Sequence, residues 1–177
     1  MNNIENLTLH ELMKLIEQGD NAKITEILVQ FKDKWNSLME ENRKLNRQIH
    51  LNGLSLAKQD LSKLDLSDII IEDSDLSGSD LTESDLSNAR ILRTTLNGTD
   101  LSFSRLTSSR ISQSDLSRAK LYKVKTEKLY LTGSVNLFDA YFKERSEEEI
   151  YRTHPEITKR GFRMAEACEH DDREYQY

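Results

Sequence analysis

Serine stands beside aspartate at Ser74-Asp75, Ser79-Asp80, Ser84-Asp85 and Ser114-Asp115. A hydroxyl next to a carboxylate is raw material for nucleophilic catalysis, provided a base bridges the two. The candidate bases, His10, His50, His154 and His170, are far apart in the chain. Only His170 has other possible ligands nearby, Cys168, Glu169, Asp171 and Asp172. Structural zinc uses paired Cys/His spacings, and this segment offers one of each, so a solvated tail is the better reading. No Gly-rich phosphate loop, nucleophile elbow or H-E-x-x-H helix occurs. The Ser-Asp pairs recur every five residues, and that period decides what they can do.

A helix advances about 500° in five residues, which smears a repeated side chain around its circumference. A strand sends odd steps to opposite faces. An apolar residue at every fifth position therefore needs a backbone that turns one corner per unit, so that each unit aims inward at a shared axis. From Leu51 to Leu131 there are 17 such positions, and 16 of them are Leu or Ile, the exception being Thr126. Two residues earlier lies a second column, Ser74, Ser79, Ser84, Ala89, Thr94, Thr99, Ser104, Ser109, Ser114 and Ala119, all small. The serines then point inward and the aspartates outward, and no triad can form. Nothing here reads as an enzyme.

The units SDLSG, SDLTE, SDLSN, ARILR, TTLNG, TDLSF, SRLTS, SRISQ, SDLSR and AKLYK resemble the pentapeptide-repeat family. The resemblance implies a mainly β fold, a right-handed parallel β-helix with four units per turn. A residue and the one twenty later would then stack about 4.8 Å apart. Before Ser74 the small column carries Leu54, Gln59, Leu64 and Ile69, which should widen the first coils. After Leu131 the phase slips by one residue, and Phe138, Tyr141 and Phe142 are expected to lid the last coil.

This frame divides the chain into residues 1–50, helical; 51–142, the β-helix; and 143–177, a helical segment and tail. In the first segment Thr8 and Glu11 have capping-box spacing, with Leu9, Leu12, Met13 and Ile16 on one face of a short helix stopped by Gly19-Asp20-Asn21. A longer helix is expected to follow, with Ile24, Leu28, Phe31, Trp35, Leu38, Asn42, Leu45 and Ile49 as a heptad seam. Either two chains pair through Leu28 to Ile49, with Asn42 fixing register, or the seam packs on the first coil as a cap. In the last segment Thr153, Pro155 and Glu156 suggest a helix start, with Ile150, Tyr151, Ile157, Phe162 and Met164 as anchors. In quinolone-protection members of the family a helix in this position mediates dimerisation. A homodimer is thus an open possibility.

There is no apolar run long enough for a membrane span and no secretory signal pattern, which places the protein in the cytoplasm with no membrane partner. The net charge of −6 hides a gradient: nine acidic residues oppose Lys63 between Asp60 and Asn88, whereas seven basic residues oppose Asp115 and Glu127 between Leu101 and Tyr130. Outward columns should begin acidic and end basic. Asp60, Asp65, Asp75, Asp80, Asp85 and Asp100 are the candidate partner-binding residues. The resemblance suggests a non-enzymatic inhibitor or protector, needing no cofactor or metal. Its carboxylates would mimic duplex phosphates and occupy the groove of a DNA- or RNA-binding protein, such as a topoisomerase or a nucleic-acid-targeting defence complex. The alternative is a structural adaptor that oligomerises through the amino-terminal helices and presents its termini to a protein partner. The acidic balance argues against direct nucleic-acid binding through Arg105, Arg110, Arg118, Lys120, Lys123, Lys125 and Lys128.

Overall fold

The structure, a computed structural model, describes residues 4–133, 135–138, 140–142 and 162–164. Its corners answer the question of the period. Every fifth residue from Gly53 to Gly133 has positive φ, between 47° at Arg93 and 68° at Gly133. Each such residue bends the chain toward the next face. Gly53, Gly78, Gly98 and Gly133 do so without a Cβ penalty, whereas residues such as Glu83 and Arg93 hold the left-handed conformation at a cost of about 1–2 kcal/mol each. Stacking with the coils above and below must offset that cost.

The chain climbs as a parallel β-solenoid of about four turns. One face contains β1 (His50–Asn52), β2 (Ile70–Glu72), β3 (Arg90–Leu92), β4 (Arg110–Ser112) and β5 (Tyr130–Thr132), paired parallel in that order. The register steps by twenty: Leu51 pairs with Ile71, Ile71 with Ile91, Ile91 with Ile111 and Ile111 with Leu131. Single bridges continue the ladder on the other three faces. Asp115 pairs with Asn136, a step of twenty-one. This is the phase slip expected after Leu131, one residue inserted before the next face.

All 17 central residues are buried, Thr126 the least at 8% exposure. Each leucine removed from water contributes about 1.5–3 kcal/mol. The ten small residues are buried as well, and most of their hydroxyls find backbone carbonyls: Ser84 donates to Leu81, Thr99 to Leu76 and Ser109 to Leu106. Among the described residues, Ser79 and Ser104 have buried hydroxyls with no partner. Ala89 and Ala119 fill the same column with no strain in the ladder. Ser104→Ala should therefore stabilise the protein by about 1 kcal/mol, since an unpaired buried hydroxyl is costly, whereas Ser109→Ala should destabilise it by a similar amount. Urea unfolding followed by circular dichroism checks the sign of each change.

The amino-terminal helices are α1 (Leu9–Gln18), α2 (Asn21–Gln30) and α3 (Lys32–Leu45), preceded by a 3-10 turn at Ile4–Asn6. Thr8 and Glu11 form the capping box, which holds the Glu11 carboxyl below its usual range through hydrogen bonds to Thr8. Gly19 closes α1 at φ 67°. The expected single long helix is two: at Phe31 the backbone leaves the helical region, with φ −128° and ψ 48°. Of the two readings of the heptad seam, the contacts within the chain are those of a cap on the first coil. Leu28, Trp35, Leu38 and Asn42 are buried there, Phe31 is half-buried, and Leu45 is 51% exposed. Asn42 donates to the Arg47 carbonyl and so fixes a local turn. Ile49 lies beyond the helix end and is the first inward residue of the solenoid, its carbonyl accepting from Ile70 N–H.

The helices are fastened to the first coil by hydrogen bonds as well as by packing. Trp35 Nε1 donates to the Asp65 carbonyl at 2.7 Å. Asn36 clamps the same edge, donating to the Lys63 carbonyl and accepting from Asp65 N–H. Asn21 donates to the Asn52 and Gly53 carbonyls, and Gln48 to that of Asp68. Leu54, Leu64 and Ile69, too large for the small column, are each 1% exposed and share one core with the helices. Their size provides an apolar seat for the cap.

At the other end, β6 (Ala140–Phe142) pairs parallel with β7 (Phe162–Met164). Residues 162–164 are thus a strand where helix was expected. Phe138, expected in the lid, is 52% exposed. The side chains of Tyr141 and Phe142, the Thr153–Glu156 helix start and the Cys168–Asp172 cluster lie outside the described residues.

Candidate interaction surface

The outward residues fall into ranks. Asp60, Asp80, Asp100 and Lys120 stack in one column; Asp65, Asp85, Arg105 and Lys125 in the next; Ser55, Asp75, Thr95, Asp115 and Asn136 in a third. The fourth, on the β1–β5 face, carries His50, Ile70, Arg90, Arg110 and Tyr130. All six candidate aspartates occupy outward positions, distributed over three faces.

Each aspartate has a local task that the sequence reading missed. Oδ1 of Asp60, Asp65, Asp75, Asp80, Asp85 and Asp100 accepts the backbone N–H two residues on, from Ser62, Ser67, Ser77, Thr82, Ser87 and Ser102. Such a bond preorganises the following corner. Asn136 does the same for Phe138 N–H in the last coil. An acceptor one residue before the central position supports the corner without being required for it, since Arg105, Lys120 and Lys125 hold the same place ahead of corners of similar φ, and charge is incidental to it. The Asp75 carboxyl is held below its usual range by hydrogen bonding to Ser77.

Cations neutralise four of the six. Lys32 Nζ lies 2.5 Å from Asp60 Oδ1, and Arg43 Nη2 2.5 Å from Asp65 Oδ2, both reaching over from α3. Within the ladder, Arg105 lies 3.5 Å from Asp85 and Lys120 3.3 Å from Asp100. Asp75 and Asp80 have no cation at ion-pair distance among the described residues. A further cluster went unnoticed in the sequence. Arg93 bonds both oxygens of Asp73 and also Glu72, and Glu72 lies 2.7 Å from His50 Nε2. Arg93 holds the Asp73 carboxyl down, and the two carboxylates raise the guanidinium. Spacings of 20 to 22 residues, about one turn of the coil, bring these partners together.

Lys32, then Ser62, lower the Asp60 carboxyl to about 2. The folded value lies below the unfolded one, so the contribution of Asp60 to stability is complete above about pH 4 and lost as pH falls toward 2. Because the carboxylate is largely exposed, that contribution is small. Lys32→Met should raise the Asp60 value most of the way toward the ordinary 3.9 or so, Ser62 retaining the remainder. Carboxyl-detected NMR titration reads the change directly. An unmoved midpoint would remove Lys32 as the cause.

The basic end is furnished with rings. Phe103 and Tyr122 meet edge to face at 5.1 Å and 88°, Lys123 lies 5.1 Å from the Tyr122 centroid, and Arg110 lies 5.9 Å from that of Tyr130. No helix among the described residues is long and apolar enough to cross a membrane.

The sequence profile described as "Pentapeptide repeats" matches in eight copies over residues 49–88, 60–97 and 93–122. No curated protein sequence matches the chain. Among solved structures, a pentapeptide repeat protein (Rfr23) from the cyanobacterium Cyanothece 51142 is 21% identical with a TM-score of 0.47. The match covers 49% of this chain and 58% of that one. A pentapeptide repeat protein from Nostoc PCC 7120 is 21% identical with a TM-score of 0.35, covering 72% and 93%. QnrB1, a plasmid-mediated fluoroquinolone resistance protein, is 11% identical with a TM-score of 0.24, covering 72% and 85%. Resistance is that protein's property.

Proposed function

We propose, from a chain whose residues 49–122 belong to the pentapeptide-repeat family, that the protein is a non-enzymatic rod that binds another protein through its outward columns. The carrying observation is how the repeated polar residues are used. The small-column serines are buried in the core, most of them bonded to carbonyls, and the aspartates hold corner amides. What remains facing solvent is a fixed pattern of charge, which recognises by complementarity. The helical cap leaves the four faces as the recognition surface.

The finer reading is a stand-in for duplex nucleic acid on a DNA- or RNA-binding partner. It is supported by the Asp60–Asp80–Asp100 column and opposed by Lys32, Arg43, Arg105 and Lys120, which offset four of the six carboxylates. Under it, Asp75 and Asp80 carry the largest share. The test is capture of a partner from host lysate by the full chain, followed by competition and substitution. Asp75→Lys with Asp80→Lys should weaken capture at least about tenfold if the acidic columns bind. Excess duplex DNA then releases the partner under mimicry and leaves it bound under plain protein recognition. Capture unaffected by charge reversal on any of the four faces would overturn the proposal.

A further inference from the structure

Of the four faces, one is complementary to itself. We infer that two copies of this chain pair antiparallel through the face carrying Asp65, Asp85, Arg105 and Lys125. Along that column the signs run minus, minus, plus, plus. A two-fold axis lying in the interface along the strand direction turns the column end over end while keeping it opposite its own copy. Asp65 then faces Lys125 of the second copy, and Asp85 faces Arg105.

The corner column beside it follows the same rule. Asp68, Asn88, Ser108 and Lys128 all take positive φ and donate N–H up the ladder or continue its spacing. Reversed, they set Asp68 opposite Lys128 and Asn88 opposite Ser108, an ion pair and a hydrogen-bonding pair. The other faces fail this operation. Reversing Asp60, Asp80, Asp100 and Lys120 sets Asp80 against Asp100. On the β1–β5 face Arg90 meets its own copy, and on the remaining face Asp75 meets Asp115. Like charges oppose in each of those outward columns, so the outward columns select a single face, on which the second corner column, Lys63, Glu83, Phe103 and Lys123, adds one opposed lysine pair.

At the axis, Asp85 and Arg105 lie 3.5 Å apart within the chain, with 31% and 57% of their side chains exposed. The second copy adds the same pair reversed, giving four charges of alternating sign. Asp65 already accepts from Arg43, so the outer contacts rest on Asp68 and Lys128, both exposed. The column spans three ladder steps, about 14 Å. Such a patch is smaller than the roughly 800 Å² per partner of a stable complex, so the pairing is weak and salt-sensitive. It does not depend on which outside protein the rod binds.

Sedimentation of the full chain at about 100 μM should show a mass rising toward the dimer in roughly 50 mM salt and returning to the monomer in roughly 500 mM salt. Asp68→Lys and Lys128→Asp should each lower the association constant at least about tenfold. The double variant, whose net charge is unchanged, should restore pairing, as should an equimolar mixture of the two single variants. The corner already accepts lysine at Lys58, Lys63 and Lys123 and aspartate at Asp73, so the fold tolerates both changes, and circular dichroism verifies it. A wild-type monomer in low salt, a dimer indifferent to both reversals, or a double variant that stays monomeric would each overturn the inference.

Discussion

Trp35→Ala is expected to lower stability by about 3–5 kcal/mol and to loosen the helical cap from the first coil. The indole is fully buried, so its loss leaves a large cavity where α3 meets the solenoid. Its Nε1 also donates to the Asp65 carbonyl, an acceptor that would be left without that bond. Beside it, Asn36 depends on the position of α3 to hold Lys63 and Asp65. Trp35→Phe keeps most of the volume and loses only the bond, so its cost should fall well below that of alanine. Since Trp35 is the only tryptophan, unfolding is followed by circular dichroism. In about 0.5 M salt the loss should be independent of protein concentration. A midpoint that moves with concentration would return the seam to an interface between chains.

That prediction depends on a distinction the sequence could not make. Leu28, Phe31, Trp35 and Leu38 keep helical spacing because α2 and α3 both turn a face toward one core. Apolar spacing reports which side faces inward, and it is blind to a break such as that at Phe31, where neither proline nor glycine marks the place. Seam residues also look alike whether the covering surface is a second chain or the first coil. The oversized Leu54, Leu64 and Ile69 were the available signal, since large residues in a small column need something to cover them. The solenoid was far more legible. Leu51 to Leu131 declare themselves by period, and the step of twenty follows from the pattern of the family they resemble, so the outward ranks of aspartates are legible in the sequence.

What those aspartates do was legible only in part. Their outward position follows from the period, but the bonds that occupy them come from two other sources. One is local: the N–H two residues on, in a corner whose positive φ no composition reveals. The other is distant: Lys32 and Arg43 reach Asp60 and Asp65 from a helix whose placement depended on the cap. Six carboxylates on three faces, bare in the sequence, become two once the cations among the described residues are added. Charge counted along a chain overstates the field wherever folding supplies the counter-ion.

The second large effect tests the solenoid itself. Leu101→Ala should cost about 3–5 kcal/mol, because Leu101 is 1% exposed and stacks between Leu81 and Leu121, both buried. Neighbouring coils are fixed by ladder bonds from Leu81 N–H to Asp100 and from Leu101 N–H to Lys120, so they cannot collapse into the space. Leu131→Ala, at 6% exposure and with a stacked neighbour only at Ile111 among the described residues, should cost less. Hydrogen exchange separates the two. The Leu101 variant should lose amide protection in the coils on both sides, whereas the Leu131 variant should lose it only beyond about Arg110, with the cap and first coils unaffected. Equal losses for the two variants would mean that the coils share one cooperative core. The five-residue period would then still set the shape of the rod, but stability would no longer be a sum of contacts between adjacent coils.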